Sequence, residues 1–163
     1  MSAEPQIAQR PPVAYAGLPL TVTMASFPAA IDAGFPELFG TLGQQGLAPA
    51  GPPFIRYHVL DMDGEMEVEL AVPVAGEITA AGRVRPGLLP GGRYVTLLHT
   101  GPYDGLVAAN AAVQDWAAQQ GVTLESSPDE RTWPGRVEHY LTDPSAEPDA
   151  SKWQTEVAYL ISD

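Results

Sequence analysis

Apolar positions in this chain follow two periods, one of two residues and one of three to four, and each change of period marks a new element. Between residues 12 and 24, Val13, Tyr15, Leu18, Leu20 and Val22 alternate approximately, with interruptions at Gly17 and Pro19. This predicts a long first strand with a bulge or bend. Ile31, Phe35, Leu38 and Leu42 then recur at helical spacing. Pro28 suits the first turn of that helix, where its missing amide proton has no intrahelical partner, and Pro36 predicts a kink or restart. Residues 54–60 and 66–72 read as two strands joined through Asp61-Met62-Asp63-Gly64, a short turn that makes them a hairpin. In the second strand Met66, Val68, Leu70 and Val72 face one way, and Glu67, Glu69 and Ala71 the other. Residues 77–84 predict a further short strand, leading into a connection over 86–92.

The order then repeats. Residues 93–99 are rich in strand formers, Thr100-Gly101-Pro102 stops them, and residues 104–120 return to helical spacing through Leu106, Ala109, Val113, Trp116 and Gln120. Two closing strands are predicted over 136–141 and 154–161. Gln44-Gln45-Gly46-Leu47 after the first helix matches Gln119-Gln120-Gly121-Val122 after the second. The predicted fold class is therefore α+β: duplicated β-α-β-β units sharing one curved, largely antiparallel sheet. Both helices cover one face, and the other, concave side is the expected place for a ligand. Residues 1–11 read as a flexible arm and 12–163 as the domain.

Composition narrows the function. A chain of 163 residues suffices for one domain with a substantial core. With no cysteine, it has no thiol catalysis, zinc-thiolate site or disulfide. Eight Lys and Arg against twenty Asp and Glu give a net charge of -12. That field disfavours nucleic acid and anionic membranes and favours a cationic partner. No segment has the apolar length of a membrane span or signal peptide, so the expected location is cytoplasmic.

The polar residues that interrupt strands are the candidates for chemistry. Alternation in Arg136-Val137-Glu138-His139-Tyr140-Leu141 puts Arg136, Glu138 and Tyr140 on one face. A desolvated carboxylate beside aromatic rings suits a lipophilic cation; it could equally serve as a general base, or face solvent, or pair with Arg136. Tyr57, Tyr94, Tyr103, Tyr140, Trp133 and Trp153 fall in or beside strands and could line a pocket, whereas Trp116 belongs to the core face of its helix. Glu67 and Glu69 are the remaining candidate carboxylates, on a shared face that could also look into the cavity, and Glu69 is taken as the candidate ligand contact. His58, His99 and His139 lack metal-site spacing, the acidic turn after residue 60 does not fit a calcium loop, and no glycine-rich segment has the form of a nucleotide loop. No metal or cofactor is expected.

LPGGRYVTLLHTGPYDGL, the helix ending in WAAQQG, VEHYLTDP and the terminal WQTEVAYLI together resemble the GyrI-like small-molecule-binding domain, which also occurs as the effector-binding module of bacterial multidrug-responsive regulators. The resemblance extends from about Pro12 over nearly the whole chain. It implies a duplicated strand-helix-strand-strand fold with a pocket between the halves and an acid within it, which motif position assigns to Glu138, with Tyr140, Trp133 and Tyr103 as aromatic neighbours. It further implies binding or sequestration of lipophilic, often cationic small molecules; direct DNA binding by this chain is not expected, given its acidity. The alternative it carries is a hydrolase of cyclopropanoid or similar electrophiles, with Glu138 as general base and a tyrosine hydroxyl orienting the substrate.

Overall fold

The computed structural model describes residues 3–61 and 63–162. Met62, in the predicted hairpin turn, lies outside them, as do the first two residues of the predicted arm and Asp163. Eight strands form one antiparallel sheet: β1 (Gln6–Arg10), β2 (Val13–Val22), β3 (Phe54–Val59), β4 (Met66–Pro73), β5 (Arg85–Leu89), β6 (Gly92–Thr100), β7 (Arg136–Tyr140) and β8 (Gln154–Leu160). Their spatial order is β1-β6-β8-β7-β3-β4-β2-β5. Helix α1 (Phe27–Gln44) follows β2, and α2 (Leu106–Gln119) follows β6.

The duplication is plain in this order. One half runs β2-α1-β3-β4 and the other β6-α2-β7-β8, and the halves meet where β3 pairs with β7. Each half has its own core. Leu38 and Leu42 of α1 pack with Leu18, Val68, Leu70 and Val72. Ala109 and Val113 of α2 pack with Val95, Leu97 and Val157. Strand alternation places all of these sheet residues on one face, so both helices lie on that side.

Three local readings change. The arm is not loose, because Gln6–Arg10 pairs with β6 from Gln6↔Thr96 to Arg10↔Gly92. Its sequence has little apolar alternation, and it is held instead by the backbone ladder and by a bidentate contact of Arg10 with Glu156 at 2.9 and 3.0 Å. Arg10→Met should therefore lower hydrogen-exchange protection of residues 6–10 selectively, at a global cost of up to about 1 kcal/mol because the pair is partly exposed. The strand expected over 77–84 lies instead at Arg85–Leu89, pairing with β2 at the sheet edge. An edge tolerates Pro86, which has no amide proton to donate. Helix α1 runs as one element from Phe27 to Gln44 with Pro36 inside it, so it does not restart there.

The face without helices is also filled. Tyr15, Phe54, Ala71, Leu89, Tyr94, Val137 and Ala158 form a third core there. The Phe54 ring meets that of Tyr15 edge-on at 5.2 Å. Only Pro90 and Gly91 separate β5, at one edge of the sheet, from β6, next to the other edge, so the sheet curls until its margins approach. The expected hollow on this side is replaced by packed side chains.

Candidate functional site

The cavity opens on the opposite side from the one expected, between the two helices and over the seam of the halves. Its volume is about 600 Å³, within the ordinary range for small-molecule sites. Phe27, Ile31 and Phe35 of α1 line one wall, and Leu106, Val107 and Ala111 of α2 the other. Ile55 and Met66 contribute from the sheet. Met24, Tyr103 and Val107 are exposed as well as lining, which puts them at the mouth.

Glu138 sits in this apolar lining at 7 % exposure. Its position follows from two registers: alternation along β7 turns it to the helix face, and the pairing Ile55↔Glu138 sets it beside β3. Tyr57, two residues on from Ile55, therefore reaches it from the other half. The Tyr57 hydroxyl donates to Glu138 Oε1 at 2.6 Å, and the Tyr140 hydroxyl to the same oxygen at 2.7 Å. Asn110 Nδ2, from α2, donates to Oε2 at 2.9 Å. Three donors converge on one carboxyl, the pattern an anion accepts.

The donors are themselves fixed. Burial first, and then the Glu138 charge, push both the Tyr57 and Tyr140 hydroxyls well above the usual tyrosine value, so each keeps the proton it donates. Asn110 also donates to the Leu106 carbonyl at 2.8 Å, and its Oδ1 accepts from the Tyr159 hydroxyl at 2.8 Å. Gln114 Nε2 donates in turn to that hydroxyl at 3.0 Å. This chain sets the orientation of the Asn110 amide and, through it, that of the carboxylate.

An aromatic column leads inward from the mouth. The Trp153 ring lies 4.9 Å from Tyr103, and Tyr103 meets Tyr140 edge-on at 5.7 Å. Tyr103 is positioned by the corner after β6, where a Cβ on Gly105 would run into the His99 ring. Across the cavity, Phe27 meets Tyr57 edge-on at 6.1 Å.

Of the side chains singled out from sequence, Glu138, Tyr57, Tyr103 and Tyr140 come together in the cavity lining. Trp153 supports Tyr103 from behind. Trp133 is buried against Tyr159 at 5.4 Å and underlies the Arg136 guanidinium, one layer outside the lining. Tyr94 and Glu69 stand on the other face of the sheet, Tyr94 with its hydroxyl donating to the Pro90 carbonyl. The possible pairing of Glu138 with Arg136 is not formed; the described ion pairs involve neither residue. Sequence reasoning passed over Asn110 and Gln114, whose signal is their spacing: with Leu106 they recur every four residues along α2, polar groups beside its apolar stripe.

Glu69 has its own surroundings. Tyr15 donates to its Oε1 at 2.6 Å, and His58 Nε2 lies 2.9 Å from the same oxygen. Burial works to raise the carboxyl pKa, but the hydrogen bonds from His58 and Tyr15, with the nearby charges of His58 and Arg56, outweigh it and leave the value below the ordinary 4.5. A depressed folded value means stabilisation that is whole above the unfolded pKa and lost as pH falls through the folded one. Denaturation curves at a series of pH values should show wild type losing stability below about pH 4.5. Glu69→Gln should flatten that acid limb.

A curved antiparallel sheet built from two β-α-β-β units, with an apolar cavity between the helices, defines a small-molecule-binding domain. Residues 3–160 match the GyrI-like small molecule binding domain, and the chain belongs to that family. Among solved structures, it superposes on the C-terminal domain of EcmrR with a TM-score of 0.82 and 20 % identity, covering 98 % of both chains. Against EcmrR in complex with DNA the TM-score is 0.83 at 21 % identity, and 98 % of this chain covers 57 % of that one. SAV2435 bound to tetraphenylphosphonium gives 0.63 at 15 % identity, over 98 % of this chain and 94 % of that one. A hydrolase from Listeria innocua gives 0.64 at 13 %, over 98 % and 92 %. No curated protein matches. Among the described residues no helix is long and apolar enough to cross a membrane, and no group of three His, Cys, Asp or Glu could hold a metal ion.

Proposed function

We propose that the chain binds lipophilic cations in the cavity between its helices, with Glu138 as the countercharge. The observation that carries this reading is one buried carboxylate in an apolar, aromatic hollow, accepting three hydrogen bonds. Those bonds reduce the cost of burying the charge without neutralising it. A cation with delocalised charge loses little hydration on entering, and ring faces together with one anion replace what it loses. The net charge of -12 adds attraction at longer range. The likeness to SAV2435 bound to tetraphenylphosphonium, at the level of the fold, supports the same class of ligand.

The hydrolytic reading asks more of Glu138. A general base needs a carboxylate oxygen placed to take a proton from water, while Oε1 already accepts two tyrosine hydroxyls and Oε2 the Asn110 amide. The geometry supports holding a charge in place more than moving a proton.

The test compares methyltriphenylphosphonium with triphenylphosphine oxide by titration calorimetry, a pair sharing three rings and differing in charge. The cation should bind at least tenfold more tightly, as expected when one desolvated charge pair is gained. Equal affinity for the two would overturn the assignment of Glu138 as countercharge.

A further inference from the structure

A second charge in the cavity has no counterion among the described residues. Arg136 lines the hollow, two residues before Glu138 on the same strand face. No described ion pair includes it, and its Nε is buried without a hydrogen-bond partner. The guanidinium is held by rings, 4.9 Å from the centre of Trp133 and 4.8 Å from that of Tyr159. Aromatic faces compensate part of its lost hydration, but they supply no negative charge. Tyr159 also belongs to the chain that orients Asn110 and Glu138, so the supports of the two charges are mechanically joined.

For a ligand carrying only positive charge, Arg136 is a liability: it repels what Glu138 attracts, in surroundings where repulsion is poorly screened. A ligand that brings an anion to Arg136 and a cation to Glu138 turns both side chains to account. Two residues along a strand set the spacing, roughly 7 Å between the points where the side chains leave the backbone. The cavity has room for a fused-ring body spanning that distance, with Phe27, Tyr57 and Tyr103 around it.

We propose that the preferred ligands are amphoteric aromatic molecules, with the cationic nitrogen on Glu138 and a carboxylate or other anion on Arg136. This rests on the cation-binding reading and specifies it: Glu138 provides affinity for the cation, and Arg136 selects which cations are kept.

The experiment uses a fluorescent quinolone carboxylic acid bearing a piperazinium arm, and its ethyl ester, which keeps the arm and loses the anion. Fluorescence anisotropy should show the acid binding at least tenfold more tightly than the ester, the usual scale for one charge-assisted bidentate contact. Arg136→Met keeps a long side chain over the two rings and should abolish or reverse the preference by weakening the acid. Arg136→Lys should retain it in part. If the acid fails to outbind its ester in wild type, or neither binds, the proposal is overturned, whatever the variants do. Methyltriphenylphosphonium run in parallel separates the two readings: its binding, lost in Glu138→Gln, would leave cation binding standing after the amphoteric preference had failed.

Discussion

Glu138→Gln is expected to weaken binding of a lipophilic phosphonium cation by about ten- to a hundredfold, or about 1.4–3 kcal/mol. The substitution keeps the volume, and the amide oxygen can still accept from Tyr57 and Tyr140; its nitrogen faces the Asn110 donor and gives up that one hydrogen bond, a loss the folded chain should survive. What it removes is the charge. The loss should appear mainly in the dissociation rate, since the contact is desolvated and short-ranged, while the overall negative field that guides encounter changes by one charge among many. Tyr57→Phe and Tyr140→Phe should each cost less, because one donor remains on Oε1 in either variant. An undiminished affinity in Glu138→Gln, measured by calorimetry, would remove the carboxylate from the binding account.

The second large effect concerns stability. Phe54 is wholly buried on the face away from the helices, edge-on to Tyr15 and 5.1 Å from the His139 ring. Its strand lies between β4 and β7, so the ring anchors the middle of the sheet where the halves join. Phe54→Ala should lower the unfolding free energy by about 3–5 kcal/mol, read from urea denaturation, because the packed backbone around it cannot collapse into the space left behind. A loss below about 1 kcal/mol would mean that this third core contributes little, contrary to its burial.

Much of this was legible in the chain itself. The period changes locate both helices, the β3–β4 hairpin and the two closing strands, and alternation within β7 places Arg136, Glu138 and Tyr140 together. Less visible was which side of the sheet each set would occupy. Glu69 and Glu138 are both polar residues in apolar strands, and only the pairings Arg56↔Glu69 and Ile55↔Glu138 assign them to opposite faces. β1 and β5 escaped because neither has the alternation of a half-buried strand: Gln6–Arg10 is mostly polar and Arg85-Pro86-Gly87 reads as a turn, and each is held by a neighbour distant in sequence. Asn110 escaped because a single amide in a helix does not name its partner. The cavity moved to the helix side for a similar reason: periodicity shows that a helix has an apolar face, not how far apart two such faces will be set.

That separation has a consequence for how the molecule responds to its guest. The cluster under α1 and the cluster under α2 have two side chains in common at their margins, Leu60 and Tyr140, and between those margins lies the hollow. A hydrophobic guest there becomes the missing block between two lobes that on this side of the sheet share only those margins, their other joins being the β3–β7 pair and the third core on the far face. Saturation should accordingly raise the melting temperature and draw the two lobes into one sharper transition, so that a simple thermal scan reports occupancy even for a compound with no colour or fluorescence of its own.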